Sequence, residues 1–179
     1  MLLAGMFPER VSRLILLDGL GPFPADPDQF AVQTRDALAG FRDFSAAQRP
    51  IADEAQAVRA RMNGMTGPLS EAAARLLCAR GLTRSPAGEL VWRADKRLRL
   101  NSLMRFDERQ ILACIRAVTA PVLLVRAEDG PPVPAGGYEE RARHFRDLRT
   151  ARLPGGHHLH MDGGEAAVAV LIREFLAEA

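Results

Sequence analysis

Residues 153–162 read LPGGHHLHMD and gather three of the chain's four histidines, His157, His158 and His160. Histidine is the side chain whose unperturbed pKa lies nearest neutrality, so an imidazole on a loop tip is a candidate proton carrier. Pro154, Gly155 and Gly156 before it read as a turn, and glycine lets the backbone take positive φ and bring a ring close to a partner. A surface turn that happens to be rich in histidine would leave the same trace. The spacing speaks against a metal site. Adjacent residues of an extended segment point to opposite faces, and a closed zinc site has four ligands at wider intervals. Cys78 and Cys114 stand far from the histidines and from each other. No metal and no cofactor is expected.

The elements that must position such a histidine are written as alternating apolar runs. Residues 11–18, VSRLILLD, hold a near-continuous run from Leu14 to Leu17, typical of a parallel-sheet strand buried on both faces. Gly19, Gly21 and Pro22 end it. Residues 121–127, PVLLVRA, form a second such run, opened by a proline and ending at Glu128, Asp129 and Gly130. Residues 149–153 read as a short third strand. Ahead of the first run, residues 1–7 read as a helix already begun and closed by Pro8. Asp107 with Gln110 makes a capping box for a helix through Ile111, Leu112, Ile115 and Val118. Residues 130–137 form a loop rich in proline and glycine, and residues 138–146 read as helical. Asp162 with Glu165 is expected to box the last helix, whose Val168, Leu171, Ile172 and Phe175 recur at i, i+3, i+4 and i+7.

Between the first strand and the capping box the character is helical. Phe30, Thr34, Ala37, Leu38 and Phe41 fall on one stripe, and Ile51, Ala55, Val58 and Met62 repeat at helical spacing. Residues 64–68 break the pattern. Ser70 reads as an N-cap, with Leu76 and Leu77 on the buried side and Gly81 as the stop. Residues 88–100, GELVWRADKRLRL, alternate charge with apolar groups around the single tryptophan, Trp92. They read as an extended edge or a loop crossing a cleft.

Strand, helical insert, helix, strand, helix, strand, histidine turn, helix: this order predicts an α/β fold with a short parallel sheet. Ligands in such sheets bind beyond the carboxyl ends of the strands, where Asp18, Asp129 and His157 all fall. The totals fit a soluble globular domain. The 179 residues are 47% hydrophobic, and 24 basic against 22 acidic residues leave a net charge of +2. That balance favours neither nucleic acid nor an anionic membrane as a partner. Two unclustered cysteines suggest a reducing compartment, so a cytoplasmic location is expected. No apolar run is long enough to span a bilayer.

These pieces, taken together, resemble the C-terminal part of a capped α/β-hydrolase. LLAGMFPERVSRLILLDGLGP resembles the helix after the nucleophile and the next core strand. APVLLVRAEDG resembles the strand ending near the acid, and PGGHHLHMD the catalytic-histidine loop. VWRADKRLRL with GGHHLHMD is most similar to the serine-hydrolase-like branch. The resemblance implies a partial α/β-hydrolase fold, with a core in residues 1–23 and 106–179 and a helical cap in residues 24–105. It implies a serine hydrolase acting on ester or related acyl bonds of a small-molecule substrate. His157 would be the base, with His158 as runner-up and His160 in a supporting position. Asp129 is the first choice for the acid and Asp18 the alternative, because either strand end can reach the histidine.

The resemblance has a gap. The family's nucleophile sits in a Gly-x-Ser-x-Gly turn, and none of Ser12, Ser45, Ser70, Ser85 and Ser102 lies in such a motif. A histidine without a serine has nothing to activate. The chain alone is therefore expected to be inactive, its missing half supplied by a longer reading frame or a partner. The alternative is a truncated, non-catalytic remnant that dimerises or binds a partner through an exposed strand edge.

Overall fold

Val122, Leu123, Leu124 and Val125 are each at most 1% exposed, and the larger part of the molecule is built around them. The computed structural model describes residues 1–47, 49–64, 68–130 and 137–178. The predicted break at residues 65–67 and the predicted loop at residues 131–136 lie outside the described residues. The chain divides into two units, Met1–Pro24 with Phe106–Ala179, and Ala25–Arg105.

In the first unit the strands are β1 (Leu14–Leu17), β4 (Val122–Asp129) and β5 (Leu148–Gly156), in the order β1-β4-β5. Both pairings are parallel, with Leu14 opposite Val122 and Val122 opposite Leu148. The two apolar runs therefore lie side by side. β1 is half-buried along its length rather than buried on both faces, because among the described residues it stands at the sheet's edge with one strand neighbour.

The pleat sends alternate β4 residues to opposite faces. Val122 and Leu124 join a cluster with Ile111 and Ile115 of α5 (Glu108–Ala117) and Ala4 of α1 (Leu2–Met6). Leu123, Val125 and Ala127 join Leu159 and the Val168 and Phe175 side chains of α7 (Glu165–Ala177). Ile111 and Ile115 are fully buried, each worth roughly 1.5–3 kcal/mol of burial. The capping box that opens α5 is formed. The Gln110 N–H donates to Asp107 Oδ1 at 2.8 Å, and the Asp107 N–H donates to Gln110 Oε1 at 3.0 Å. α1 packs on α5 backbone to backbone: a Cβ at Gly5 would lie 2.2 Å from the Cys114 carbonyl oxygen.

Three local expectations change. Pro154, Gly155 and Gly156 belong to the end of β5 rather than to a turn. A proline's missing N–H is tolerated there because β5 is an edge strand. The turn comes one step later, where the Leu159 N–H donates to the Gly156 carbonyl at 3.0 Å. α7 starts at Glu165 with Gly164 as its cap, so Asp162 does not box it. Glycine sets that start. Gly163 has φ +93°, and a Cβ at Gly164 would meet the Leu159 carbonyl oxygen at 2.5 Å. α6 (Gly137–Ala142) is shorter than predicted.

The second unit holds α2 (Phe30–Arg42), α3 (Glu54–Met62), α4 (Glu71–Gly81) and an antiparallel pair, β2 (Leu82–Arg84) with β3 (Leu90–Trp92). Asp53 caps α3 by accepting from the Gln56 N–H at 2.7 Å, and Ser70 caps α4 by accepting from the Ala73 N–H at 3.2 Å. α3 and α4 meet through small side chains, Ala57 and Val58 against Ala74 and Cys78. This close approach explains two misread stripes. Leu76 is 70% exposed because α4 turns its alanine face inward. Ala55 is exposed, and Ile51 precedes the helix, where it bridges to Leu90. On α2 only Ala37 of the predicted stripe is buried, while Phe30, Leu38 and Phe41 are exposed. Residues 88–100 supply β3 and then a 3-10 turn, Lys96–Arg99.

Candidate active site

β1 stops at Leu17, but its ladder runs one step further. The Asp18 N–H donates to the Val125 carbonyl at 2.7 Å. The backbone then swings to φ +45°, making Asp18 the one non-glycine residue with positive φ among the described residues. Aspartate tolerates the left-handed region better than most residues, at a cost of roughly 1–3 kcal/mol. The swing carries the side chain back over the sheet. Asp18 Oδ1 accepts from the Ala127 N–H at 3.0 Å, so the carboxylate takes a strand amide beyond the end of β1.

Asp18 Oδ2 meets Nδ1 of His157 at 2.8 Å. The aspartate is 4% exposed and the imidazole 26%. A carboxylate accepts and does not donate, so Nδ1 carries the proton in this bond. Nε2 is left as the basic nitrogen of the neutral ring. Gly130 makes room for the pair: a Cβ there would lie 2.8 Å from Asp18 Oδ2. The Tyr138 hydroxyl donates to the Asp18 carbonyl oxygen at 2.8 Å. Tyr138 is itself buried, and burial followed by the nearby Asp18 charge pushes its phenol pKa up.

Of the two aspartates weighed from the sequence, Asp18 is the one brought to His157. Asp129, the first choice, is exposed at the end of β4, where its backbone pairs with Gly156 past a register irregularity. Its carboxylate makes no hydrogen bond with a described residue. The sequence did not separate the two, since Asp18-Gly19 and Asp129-Gly130 are both Asp-Gly steps at the end of an apolar run. Nothing in it singled out Gly130 or Tyr138.

His158 packs edge-on against His157, with ring centroids 5.0 Å apart, and His160 lies 6.2 Å beyond it. Burial, then the neighbouring His157 and His160, lowers the His158 pKa. Among the described residues no three His, Cys, Asp or Glu side chains are grouped to hold a metal ion. No described helix is long and apolar enough to cross a membrane.

No protein-family model matches the chain. It is 28% identical over 185 residues to a probable serine hydrolase of Drosophila melanogaster, covering 98% of this chain and 56% of that protein. The crystal structure of a hypothetical protein from Pseudomonas aeruginosa PAO1 superposes with a TM-score of 0.86 at 38% identity, covering 98% of this chain and 62% of that one. A thioesterase domain from the curacin biosynthetic pathway shares the fold, with a TM-score of 0.73 at 22% identity over 96% of this chain and 61% of that one. The chain thus spans little more than half the length of the relatives it matches. It is an α/β-hydrolase in fold, over the part of that fold it spans, and its sequence places it beside the serine hydrolase-like proteins.

Proposed function

We propose that the chain contributes the acid and the base of a serine hydrolase acting on ester or related acyl bonds, with His157 as base and Asp18 as acid. The observation that carries this reading is the 2.8 Å bond from His157 Nδ1 to a carboxylate that is 4% exposed. Asp18 fixes the tautomer and stabilises the imidazolium. Nε2 takes the proton of an attacking serine and returns it to the leaving group. The serine lies in none of the 179 residues in a Gly-x-Ser-x-Gly setting, so these residues by themselves turn over no ester. The unit Ala25–Arg105, inserted between β1 and α5, is read as the cap that selects a small-molecule substrate.

The test uses p-nitrophenyl esters. The 179-residue chain should show no rate above background, and His157→Ala should change nothing. A longer product of the same gene carrying an in-frame Gly-x-Ser-x-Gly should hydrolyse the ester. In it, Asp18→Asn should lower kcat on the order of 10⁴-fold, while Asp129→Asn has a far smaller effect. Turnover by the 179 residues that disappears in His157→Ala would overturn the inactivity. A larger loss from Asp129→Asn than from Asp18→Asn would overturn the choice of acid.

A second reading, a non-catalytic remnant that self-associates, is favoured by one observation. β1 is an edge strand of apolar residues left half-buried, and an unpaired edge is a template for another chain.

A further inference from the structure

Asp18 holds an uncommon backbone conformation, and such residues persist only where their surroundings over-determine them. The surroundings come from one short helix. Tyr138 and Arg141 stand one turn apart on α6, at the i, i+3 spacing that stacks side chains on one face. The Tyr138 hydroxyl donates to the carbonyl of Asp18 at 2.8 Å. Arg141 Nη1 donates to the carbonyls of Leu20 at 2.9 Å and Pro22 at 3.0 Å. Alternate carbonyls of the segment leaving β1 are thus held by two side chains of α6.

The grip is itself anchored. Arg141 is 8% exposed, and its Nε and Nη2 donate to Glu108 Oε1 at 2.8 Å and Oε2 at 2.6 Å. A buried guanidinium needs such pairing, and a fork bonded on both sides has one geometry. The carbonyl of a left-handed residue is turned out of its strand's ladder, and a buried carbonyl left without a donor is costly. Tyr138 supplies that donor at the residue that bonds His157.

We propose that α6 is the positioning element of this site. Through Tyr138 and Arg141 it clamps the segment from Asp18 to Pro22, and so holds the Asp18 carboxylate where it orients His157. The proposal rests on Asp18 being the partner of His157, as argued above. Tyr138 and Arg141 are positioning residues: among the described residues neither hydrogen-bonds His157, and they act through Asp18.

The test is nitrogen-15 and proton NMR of the histidine side chains in the 179-residue chain. It reads the His157 tautomer and the Nδ1-bound proton in the neutral ring. In the unaltered chain that proton should be observed and the ring held as the Nδ1–H tautomer. Tyr138→Phe removes one oxygen and keeps the ring. It should leave the chain folded with its thermal midpoint lowered by only a few degrees, the cost of one unpaired buried carbonyl, yet broaden or lose the Nδ1 proton signal and mix the tautomers. Arg141→Lys should do the same more strongly, since an ammonium cannot span both carbonyls and Glu108 in one fork. If Tyr138→Phe leaves the His157 signals unchanged while Asp18→Asn shifts them, the clamp is wrong and the acid assignment stands. If Asp18→Asn itself leaves them unchanged, the underlying reading fails. If Tyr138→Phe unfolds the chain, the residue is a general stabiliser and the proposal is overturned.

Discussion

Four hydrogen bonds converge on Asp18 among the described residues: those with the carbonyl of Val125, the amide of Ala127, the imidazole of His157 and the hydroxyl of Tyr138. Two hold the backbone and two hold one carboxylate oxygen each, so the side chain has little freedom left. Gly130 completes this arrangement by the absence of a side chain. Gly130→Ala should place a methyl group 2.8 Å from Oδ2 and force the carboxylate aside. The expected outcome is loss of the His157 Nδ1 proton signal with the sheet intact, checked by NMR and far-ultraviolet circular dichroism. This scale also shows how far sequence reading reaches. The choice of His157 over His158 comes from the resemblance, through its Gly-His step; the residues alone fit a histidine-rich surface turn as well. The choice between Asp18 and Asp129 was not legible. Both follow apolar runs, and what separates them is a backbone angle at Asp18 and a register irregularity before Asp129.

The helices show the same division. α5 was legible because its capping box and its buried isoleucines agree on one register. The stripes of α2 and α4 misled. Periodicity names an apolar face, but small residues decide which face approaches a neighbour closely, as Ala73, Ala74 and Cys78 do on α4. Gly5 is the extreme case. Gly5→Ala should push α1 off α5 and destabilise the first unit by about 1–3 kcal/mol, the usual cost of overpacking. Urea denaturation followed by fluorescence or circular dichroism checks it. The tie between α5 and α6 is pH-dependent. The hydrogen bond from Arg141 holds the Glu108 carboxyl below the ordinary glutamate pKa. The folded chain therefore binds that proton less readily than the unfolded chain. The stabilisation is fully present above the ordinary glutamate pKa and is lost as pH falls through the lowered, folded value. Denaturation midpoints measured from neutral pH into acid should fall, and Glu108→Gln should flatten that fall.

At the scale of the whole molecule, the sheet ends in a strand with one neighbour. Among the described residues no strand lies on the open side of β1, and its Leu14–Leu17 side chains are only half-buried. The chain should self-associate at high concentration, and a charge on that strand, as in Ile15→Lys, should reduce the association. Light scattering across a concentration series reads both. A monomer at every concentration would remove the self-association reading and leave the hydrolase reading untouched.

The bonds that close on Asp18 reach across 109 positions to Ala127 and 139 to His157. Helices and the β2–β3 hairpin form from near neighbours, whereas pairings this remote must first overcome the entropy of closing a long loop. The oriented imidazole is thus a product of completed folding. An unfinished chain carries the same three histidines in its turn, but the bond that aims one of them is withheld until the three strands have found one another.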